Sequence, residues 1–387
     1  MWVRALLADR VSIPFRRPFR TAAGLWLRRD AWLLRVVDDE GRVGLGEAVL
    51  EPSGGEVGER ILAQLVREAA DGAADGGLPT MIELERHGAP GRALAAALGS
   101  ALLDLSRPAT NATEVSVDRG VGVNAVIRFG GSRAAADAAR QSVSAGFRTL
   151  KIKAGAERET DVLVERIRAV RAAVGPDIRL RIDANGAWDP ATAEDRLAAV
   201  ARFDIEYAEQ PVAAHDVEGL ADLRRRVAVP IAADEAVESI SAARSLLDAD
   251  AVDLLVVKPA RVGGPLAVTE IAQLAAEHGV PVVISTLFET GVGIAVALAA
   301  AAALPGVAMP GRAEPPDHGL ATAGLLVHDL LLAPLLVSDG RMRAPGGPGT
   351  GGLGIALDDR AVERFRSGTG GSGSPAHADG LPGLSPT

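Results

Sequence analysis

The middle of the chain repeats one unit, a short apolar β-type run followed by a helical stretch rich in Ala, Leu and Arg. After the first, at 121–127, the β-type runs end at residues 153, 183, 209, 234, 258 and 285, so 24 to 30 residues separate each end from the next. That spacing fits a strand, a crossover helix and two loops, which parallel strands require. The repeat predicts either a (β/α)8 barrel or an open doubly wound sheet. The barrel is favoured because no glycine-rich phosphate loop follows the early strands.

The segments on either side of the repeat have other patterns. The first hundred residues contain three β-type runs followed by two helical patterns, at 56–74 and 81–105, which predicts a small α+β domain. The turn sequence from Asp38 to Gly41 indicates a hairpin between the second and third runs. We therefore predict an α+β domain at 1–114, the βα barrel at 115–335 and a disordered tail at 367–387.

The composition disfavours several classes of function. The 387 residues include 41 Lys and Arg against 50 Asp and Glu, and this net charge of −9 argues against nucleic-acid and membrane-surface partners. The absence of cysteine excludes disulfides, thiolate metal sites and a cysteine nucleophile. The most apolar run, 292–304, is shorter than the roughly 20 residues of a membrane span. We expect no export signal in the first residues, because Arg4, Asp9 and Arg10 interrupt the apolar stretch that a signal peptide needs. We expect a cytoplasmic protein, and a homo-oligomer remains open.

Charged residues stand at the carboxyl ends of five successive strands of the predicted barrel. Each one alone has an ordinary explanation as a helix cap, a turn residue or a solvated loop residue. Five in succession indicate a site, because these strand ends meet at one mouth of a barrel. The charged residues, in chain order, are Lys151, Lys153, Asp183, Glu209, Asp234, Glu235 and Lys258.

This order of charges has a direct chemical interpretation. Three carboxylates on neighbouring strands need a compensating cation, and Mg²⁺ prefers oxygen ligands. Burial, a nearby cation and mutual repulsion would each lower the pKa of a lysine and make its amine available as a base. A metal beside a base suits removal of the proton α to a carboxylate. The predicted partner is therefore a small-molecule carboxylate substrate.

The order Lys-x-Lys, Asp, Glu, Asp and Lys resembles the enolase superfamily, in its muconate-lactonizing subgroup. The resemblance covers about 2–365, and Gly46-Glu47-Ala48 is similar to part of the N-terminal capping domain of that family. It implies a modified (β/α)8 barrel with an α+β capping domain that residues 336–366 return to complete, with a strand at 353–357. Loops near 21–28 and 51–58 would then close over the barrel mouth.

The resemblance also implies roles for the charged residues. The metal ligands would be Asp183, Glu209 and Asp234, with Mg²⁺ as the ion and Mn²⁺ as a substitute. Lys153 would be the acid/base, and Lys151 would tune it.

Three further matches complete the implied site. Lys258 would lie on the opposite face of the substrate from Lys153. Asn185 and Glu235 match polar positions just outside the reacting groups.

Two segments favour one reaction within the subgroup. Residues 283–293 and 318–322 are similar to segments of o-succinylbenzoate synthases, which implies dehydration of 2-succinyl-6-hydroxy-2,4-cyclohexadiene-1-carboxylate in menaquinone biosynthesis. Candidates for the succinyl carboxylate are Ser285, Thr286 and the amides at Gly291 and Gly293, because a helix start binds anions. Close helix packing explains the two glycines equally well.

Other functions remain open. N-succinylamino acid racemase, dipeptide epimerase and cycloisomerase activities belong to the same superfamily, although the Asp-x-Asp of the epimerases is replaced by Met309-Pro310-Gly311-Arg312. A Schiff-base aldolase using Lys153 or Lys258 would leave the three carboxylates unexplained. A barrel that only binds a partner is disfavoured by the intact set of charged residues.

Overall fold

The computed structural model describes residues 2–21, 24–51, 54–74, 77–106, 120–128, 130–309, 311–343 and 352–367. The predicted domain boundary at 114–115 and residues 368–387 of the predicted tail lie outside these ranges. Most of the glycine-rich stretch at 345–354 lies outside them as well.

The N-terminal part is an antiparallel three-stranded sheet that packs against helices. The strands are β1 (Val3–Thr21), β2 (Gly24–Asp38) and β3 (Val43–Ala48), in that order. The helices are α1 (Gly55–Ala74), α2 (Met81–Glu85) and α3 (Gly88–Ser106). The second helical pattern, predicted as continuous, is thus divided. The division lies just after the short α2, where Gly88 has a φ of +59°.

Close contact between β3 and α3 explains two glycines of β3. A Cβ at Gly44 would lie 2.0 Å from the Ala101 carbonyl oxygen, and one at Gly46 would lie 2.0 Å from that of Ala97. Any larger residue would push the helix off the sheet. The resulting layer buries Leu34, Val36 and Leu94.

The central part is a parallel seven-stranded sheet in the order β11 to β5, with helices in the connections after the strands. Its strands are β5 (Ala125–Ile127), β6 (Thr149–Lys153), β7 (Arg179–Asp183), β8 (Ile205–Glu209), β9 (Ile231–Ala233), β10 (Leu254–Val257) and β11 (Val282–Ile284). The helices are α4 (Ser132–Ser144), α5 (Thr160–Val174), α6 (Pro190–Val200), α7 (Val217–Arg226), α8 (Ile240–Asp248), α9 (Pro259–Val262), α10 (Pro265–Glu277) and α11 (Gly291–Ala302). The predicted mixed α/β barrel with a separate N-terminal α+β unit is confirmed.

A two-residue segment joins the two edges of the parallel sheet. His318 forms a parallel bridge with Val123, and Gly319 forms one with Ser285. Backbone hydrogen bonds run from Asn124 N to His318 O (2.9 Å) and from Gly319 N to Ile284 O (2.8 Å). The segment 318–319 therefore takes the place of an eighth strand and closes the barrel.

The chain after the barrel returns to the N-terminal sheet. The short strand β12 (Val337–Ser338) pairs with β13 (Arg341–Met342), which pairs in turn with β4 (Val121–Gly122), and α12 (Asp359–Phe365) follows. Arg366 then bridges to Val11 of β1. The strand expected at 353–357 is wrong, since these residues form turns and a single bridge from Leu357 to Leu331. No helix within the described ranges is long and apolar enough to cross a membrane.

Candidate active site

A cavity of about 510 Å³ lies at the carboxyl ends of the barrel strands. Its walls combine strand ends of the barrel with Trp26 and Glu51 from the N-terminal unit and Phe288 from the loop after β11. The cavity is therefore enclosed by both parts of the chain, as expected for a capped barrel mouth.

The two lysines of β6 lie side by side in this cavity, because residues two apart on a strand project to the same face. Both are buried, with Lys151 8 % and Lys153 6 % exposed. Their Nζ atoms lie 2.9 Å and 2.7 Å from the same Asp183 oxygen, Oδ2. Lys151 also donates to Glu209 Oε1 at 2.8 Å.

Asp183 and Glu209 end neighbouring strands and are direct partners in the sheet register. Burial alone would raise the pKa of Asp183, but Lys151 and Lys153 hold it below its usual range. Burial and the charge of Asp183 raise the pKa of Glu209 to about 8. Glu209 lies behind Lys151 and is absent from the described residues that line the cavity.

Asp234 and Lys258 form the matching pair on the other side of the barrel. Asp234 follows β9 and Lys258 follows β10, with Lys258 Nζ 2.7 Å from Asp234 Oδ2. Arg261 also contacts this carboxylate, with its Nη1 2.7 Å from Asp234 Oδ1. The same guanidinium binds Glu51. Sequence reasoning missed Arg261, although its position one turn after Lys258 was a usable signal.

Asn185 connects Lys153 to Glu235. Its Oδ1 accepts from Lys153 Nζ at 3.0 Å, and its Nδ2 donates to Glu235 Oε1 at 3.0 Å. The left-handed backbone of Asn185, with φ of 50°, suits Asn better than most side chains. Glu235 Oε2 is buried without a hydrogen-bond partner among the described residues. Burial and the charge of Asp234 raise the pKa of Glu235.

The structure separates the four predicted substrate-binding residues. Ser285 and Thr286 line the cavity. Gly291 and Gly293, at the start of α11, are absent from the described cavity walls, and their amides already donate to the carboxylates of Asp329 (2.7 Å) and Glu47 (2.9 Å).

This geometry corrects the predicted role of the two glycines. A Cβ at Gly291 would lie 2.4 Å from Leu331 Cδ1, and one at Gly293 would lie 2.5 Å from Glu289 Cβ. Close packing therefore explains both glycines.

Burial and the neighbouring carboxylates act on the pKa of Lys151 in opposite directions. Burial by itself would lower the pKa of Lys151, but Asp183, Glu209 and Asp234 outweigh it and raise this pKa well above 10.5. The protein's own residues thus keep Lys151 charged.

The donors expected to bind a metal are three buried carboxylates on consecutive strands. Their oxygens fit Mg²⁺ in chemistry, and the unpartnered Glu235 oxygen adds a further acceptor nearby. Within the described residues, no three acidic or histidine side chains are already arranged around one point. Lysine ammonium groups lie between the carboxylates instead.

A cluster of aromatic side chains, contributed by the N-terminal unit and by the loop after β11, borders the cavity. Trp26 stacks edge-on with Phe288 (ring centroids 5.5 Å apart) and with Phe15 (6.1 Å). Phe288 has a positive φ of 62°, which is uncommon for a bulky residue. Sequence reasoning placed loops near 21–28 and 51–58 over the mouth but did not single out Trp26 or Phe288.

The fold and the site define a capped (β/α) barrel with paired lysines and carboxylates at its mouth. Residues 134–361 match the Enolase C-terminal domain-like family, and the chain belongs to this family. The predicted membership of the enolase superfamily is thereby confirmed. The prediction of an enzyme agrees with this membership.

Two relatives by sequence carry different activities in their names. The chain is 43 % identical over 201 residues to an o-succinylbenzoate synthase of Thermobifida fusca, over 52 % of this chain and 60 % of the relative. It is 33 % identical over 360 residues to an N-succinylamino acid racemase of Amycolatopsis, over 88 % and 92 %. The match thus spans less than two thirds of the synthase.

Solved structures share the whole fold. A muconate lactonizing enzyme from Pseudomonas fluorescens aligns with a TM-score of 0.80 and 24 % identity, over 94 % of this chain and 99 % of that one. A dipeptide epimerase from Enterococcus faecalis aligns with a TM-score of 0.77 and 25 % identity, over 92 % and 100 %. At this level of identity these likenesses support the architecture.

Proposed function

We propose that the chain is a Mg²⁺-dependent o-succinylbenzoate synthase that dehydrates 2-succinyl-6-hydroxy-2,4-cyclohexadiene-1-carboxylate in menaquinone biosynthesis. The observation that carries this proposal is the placement of Lys153 and Lys258. Lys153 ends β6 and Lys258 follows β10, four positions apart in an eight-position barrel, so their ammonium groups face the cavity from opposite sides. The 43 % identical synthase relative supports the choice of reaction.

Asp183, Glu209 and Asp234 would hold Mg²⁺, with Mn²⁺ as a substitute. The bound ion would supply positive charge for the enediolate that forms when the α proton leaves.

The residues of the chain perform the proton transfers. Lys153 removes the α proton, and Asp183 and Asn185 orient its Nζ. The C–O bond to the ring hydroxyl then breaks, and Lys153 returns the proton so that the hydroxyl leaves as water. Lys258 remains an ammonium and stabilises the negative charge from the opposite face.

The second candidate is racemisation of an N-succinylamino acid. It needs one base on each face of the substrate, and the pairs Lys153–Asp183 and Lys258–Asp234 supply this symmetry, each with an Nζ to oxygen distance of 2.7 Å. The racemase relative, which matches 88 % of this chain, supports this alternative.

The first test is turnover of the cyclohexadiene substrate, followed by its absorbance with Mg²⁺ and then with EDTA. We expect metal-dependent turnover that falls by roughly 10³-fold in Lys153→Ala, because the base is removed. Lys153→Arg is the matched control, since it keeps a cation beside Asp183 but supplies no base.

Lys258→Ala separates the two reactions. In this variant, dehydration of the cyclohexadiene should be slowed. Racemisation of an N-succinylamino acid should be abolished, while Lys153 still exchanges the α proton of one enantiomer with deuterium. A wild-type protein that binds Mg²⁺ but leaves the cyclohexadiene unchanged would contradict the synthase proposal. Exchange from both enantiomers of N-succinylamino acids would then establish the racemase.

A further inference from the structure

Asn124 contributes an amide to the floor of the cavity. It lies between β4 and β5, is 3 % exposed and lines the cavity. Val126 of β5 pairs with Lys151, so Asn124 lies two residues deeper in the barrel, about 7 Å below that lysine. Its Oδ1 accepts from Arg181 Nη1 at 3.1 Å. Its Nδ2 is buried and has no hydrogen-bond partner in the described part of the chain.

Arg181 fixes the orientation of this amide. A guanidinium only donates hydrogen bonds, so the atom that faces it must be the amide oxygen, and the NH₂ group must point elsewhere. Arg181 is itself held in place: it is fully buried and donates to Glu206 Oε2 (2.6 Å) and to the Asp317 carbonyl (2.8 Å). Its guanidinium also lies over the Tyr207 ring, 4.6 Å from the ring centroid.

The cavity wall next to Asn124 is formed by the closing segment of the barrel and by the residue that follows β11. Asn124 lies beside the closing segment of the barrel, where Gly319 pairs with Ser285. A Cβ at position 319 would lie 2.6 Å from Ser285 Oγ. An amide, a glycine and a hydroxyl thus line the cavity at the seam of the barrel.

We propose that Asn124 is a substrate-binding residue whose Nδ2 donates a hydrogen bond to a carboxylate or carbonyl oxygen of the substrate. A buried donor without a partner is costly, and a substrate oxygen would satisfy it. Arg181 is a positioning residue that presents this donor. The inference rests on the proposed function, since it requires a substrate with an oxygen that reaches the cavity floor.

Two substitutions distinguish donation to substrate from mere support of Arg181. Asn124→Ala removes the donor, and kcat/KM should fall roughly 10- to 100-fold, chiefly through KM. Asn124→Asp keeps the acceptor for Arg181 but turns a carboxylate oxygen toward an anionic substrate. It should therefore be less active than Asn124→Ala. An Asp variant that equals wild type or exceeds the Ala variant would overturn the proposal, because only the contact with Arg181 would then matter.

Asn124→Ser provides a check that does not depend on the Asp variant folding. Its hydroxyl can accept from Arg181 and donate to the substrate, so its kcat/KM should exceed that of Asn124→Ala; a value at or below it would overturn the proposal. Urea unfolding establishes that each compared variant is folded. A wild type inactive on both the cyclohexadiene and N-succinylamino acids refutes the proposed function together with this inference. An active wild type with the wrong order of variants refutes the role of Asn124 alone.

Discussion

Several buried charges in the described part of the chain are paired across neighbouring strands and loops. Lys153 pairs with Asp183, Lys258 with Asp234, and Arg181 with Glu206, each with an N–O distance of 2.6 to 2.7 Å. Such pairs tolerate the loss of one partner poorly, because the remaining charge stays buried. Substitutions in the site therefore need activity and stability measured together.

Glu289 is a buried carboxyl without a cationic partner at contact distance in the described structure. Burial and the neighbouring charge of Glu47 raise its pKa from 4.5 to about 7, against the weaker effect of Arg29. Between these values the folded state binds more protons than the unfolded state, so the free energy of unfolding falls as pH rises. Ionisation of Glu289 should therefore lower the free energy of unfolding by about 3 kcal/mol between pH 4.5 and 7.

Glu289→Gln should remove this dependence and stabilise the protein at pH 8. Urea unfolding at several pH values measures it. Glu363→Gln, at a carboxyl that is 69 % exposed, is the control and should follow wild type. Parallel curves for wild type and Glu289→Gln would refute the prediction.

At the scale of elements, the closing segment completes the barrel with very few hydrogen bonds. His318 contributes a side-chain bond in addition to those of its backbone, because its Nδ1 accepts from the Ile284 amide at 3.0 Å. This contact joins the segment to β11. Burial and the charge of Arg181 lower the pKa of His318 from 6.5 to about 4, so its ring is neutral in the folded state at pH 7.

His318→Asn should make the barrel less sensitive to acid. Below pH 6.5 the unfolded state of wild type binds a proton that the folded state excludes, so stability falls by about 3 kcal/mol as pH drops to 4. The Asn oxygen can accept from Ile284 without this titration. Unfolding curves between pH 4 and 7 measure the effect, with His278→Asn as a surface control. An unchanged acid slope in His318→Asn would contradict the argument.

At the scale of the whole molecule, polar contacts join the N-terminal unit to the barrel. Glu47 of β3 accepts from the Thr290 amide (2.9 Å), the Thr290 hydroxyl (2.7 Å) and the Gly293 amide (2.9 Å). Arg29 donates to the carbonyl of Leu287 in the loop after β11 (3.1 Å) and, within the N-terminal unit, to that of Leu50 (2.6 Å). These bonds hold the unit that carries Trp26 over the barrel mouth.

Glu47→Ala should therefore destabilise the protein by about 2–5 kcal/mol, because it leaves the amides of Thr290 and Gly293 at the start of α11 without their acceptor. Glu47→Gln should cost less, since it keeps one acceptor and carries no charge. Urea unfolding provides the measurement. Glu56→Ala, at a 96 % exposed side chain of α1, is the matched control and should change stability little. A Glu47→Ala variant as stable as this control would show that the contact contributes nothing.

The sequence by itself was enough to predict the architecture and most of the charged residues of the site. The regular spacing of strand ends follows from the length of a βα unit, which is a local property of the chain. The projection of Lys151 and Lys153 to one and the same face follows from the period of a strand. The strand register of the structure then places Asp183 and Glu209 side by side.

Tertiary structure alone decided which other groups complete the site. Arg181 lies against Asn124, and Arg261 binds Glu51 of the other unit. The helix-start pattern makes the amides of Gly291 and Gly293 candidates for a substrate carboxylate, but in the structure they donate to the carboxylates of Asp329 and Glu47. Each of these outcomes depends on contacts between residues tens to hundreds of positions apart, which no local pattern encodes.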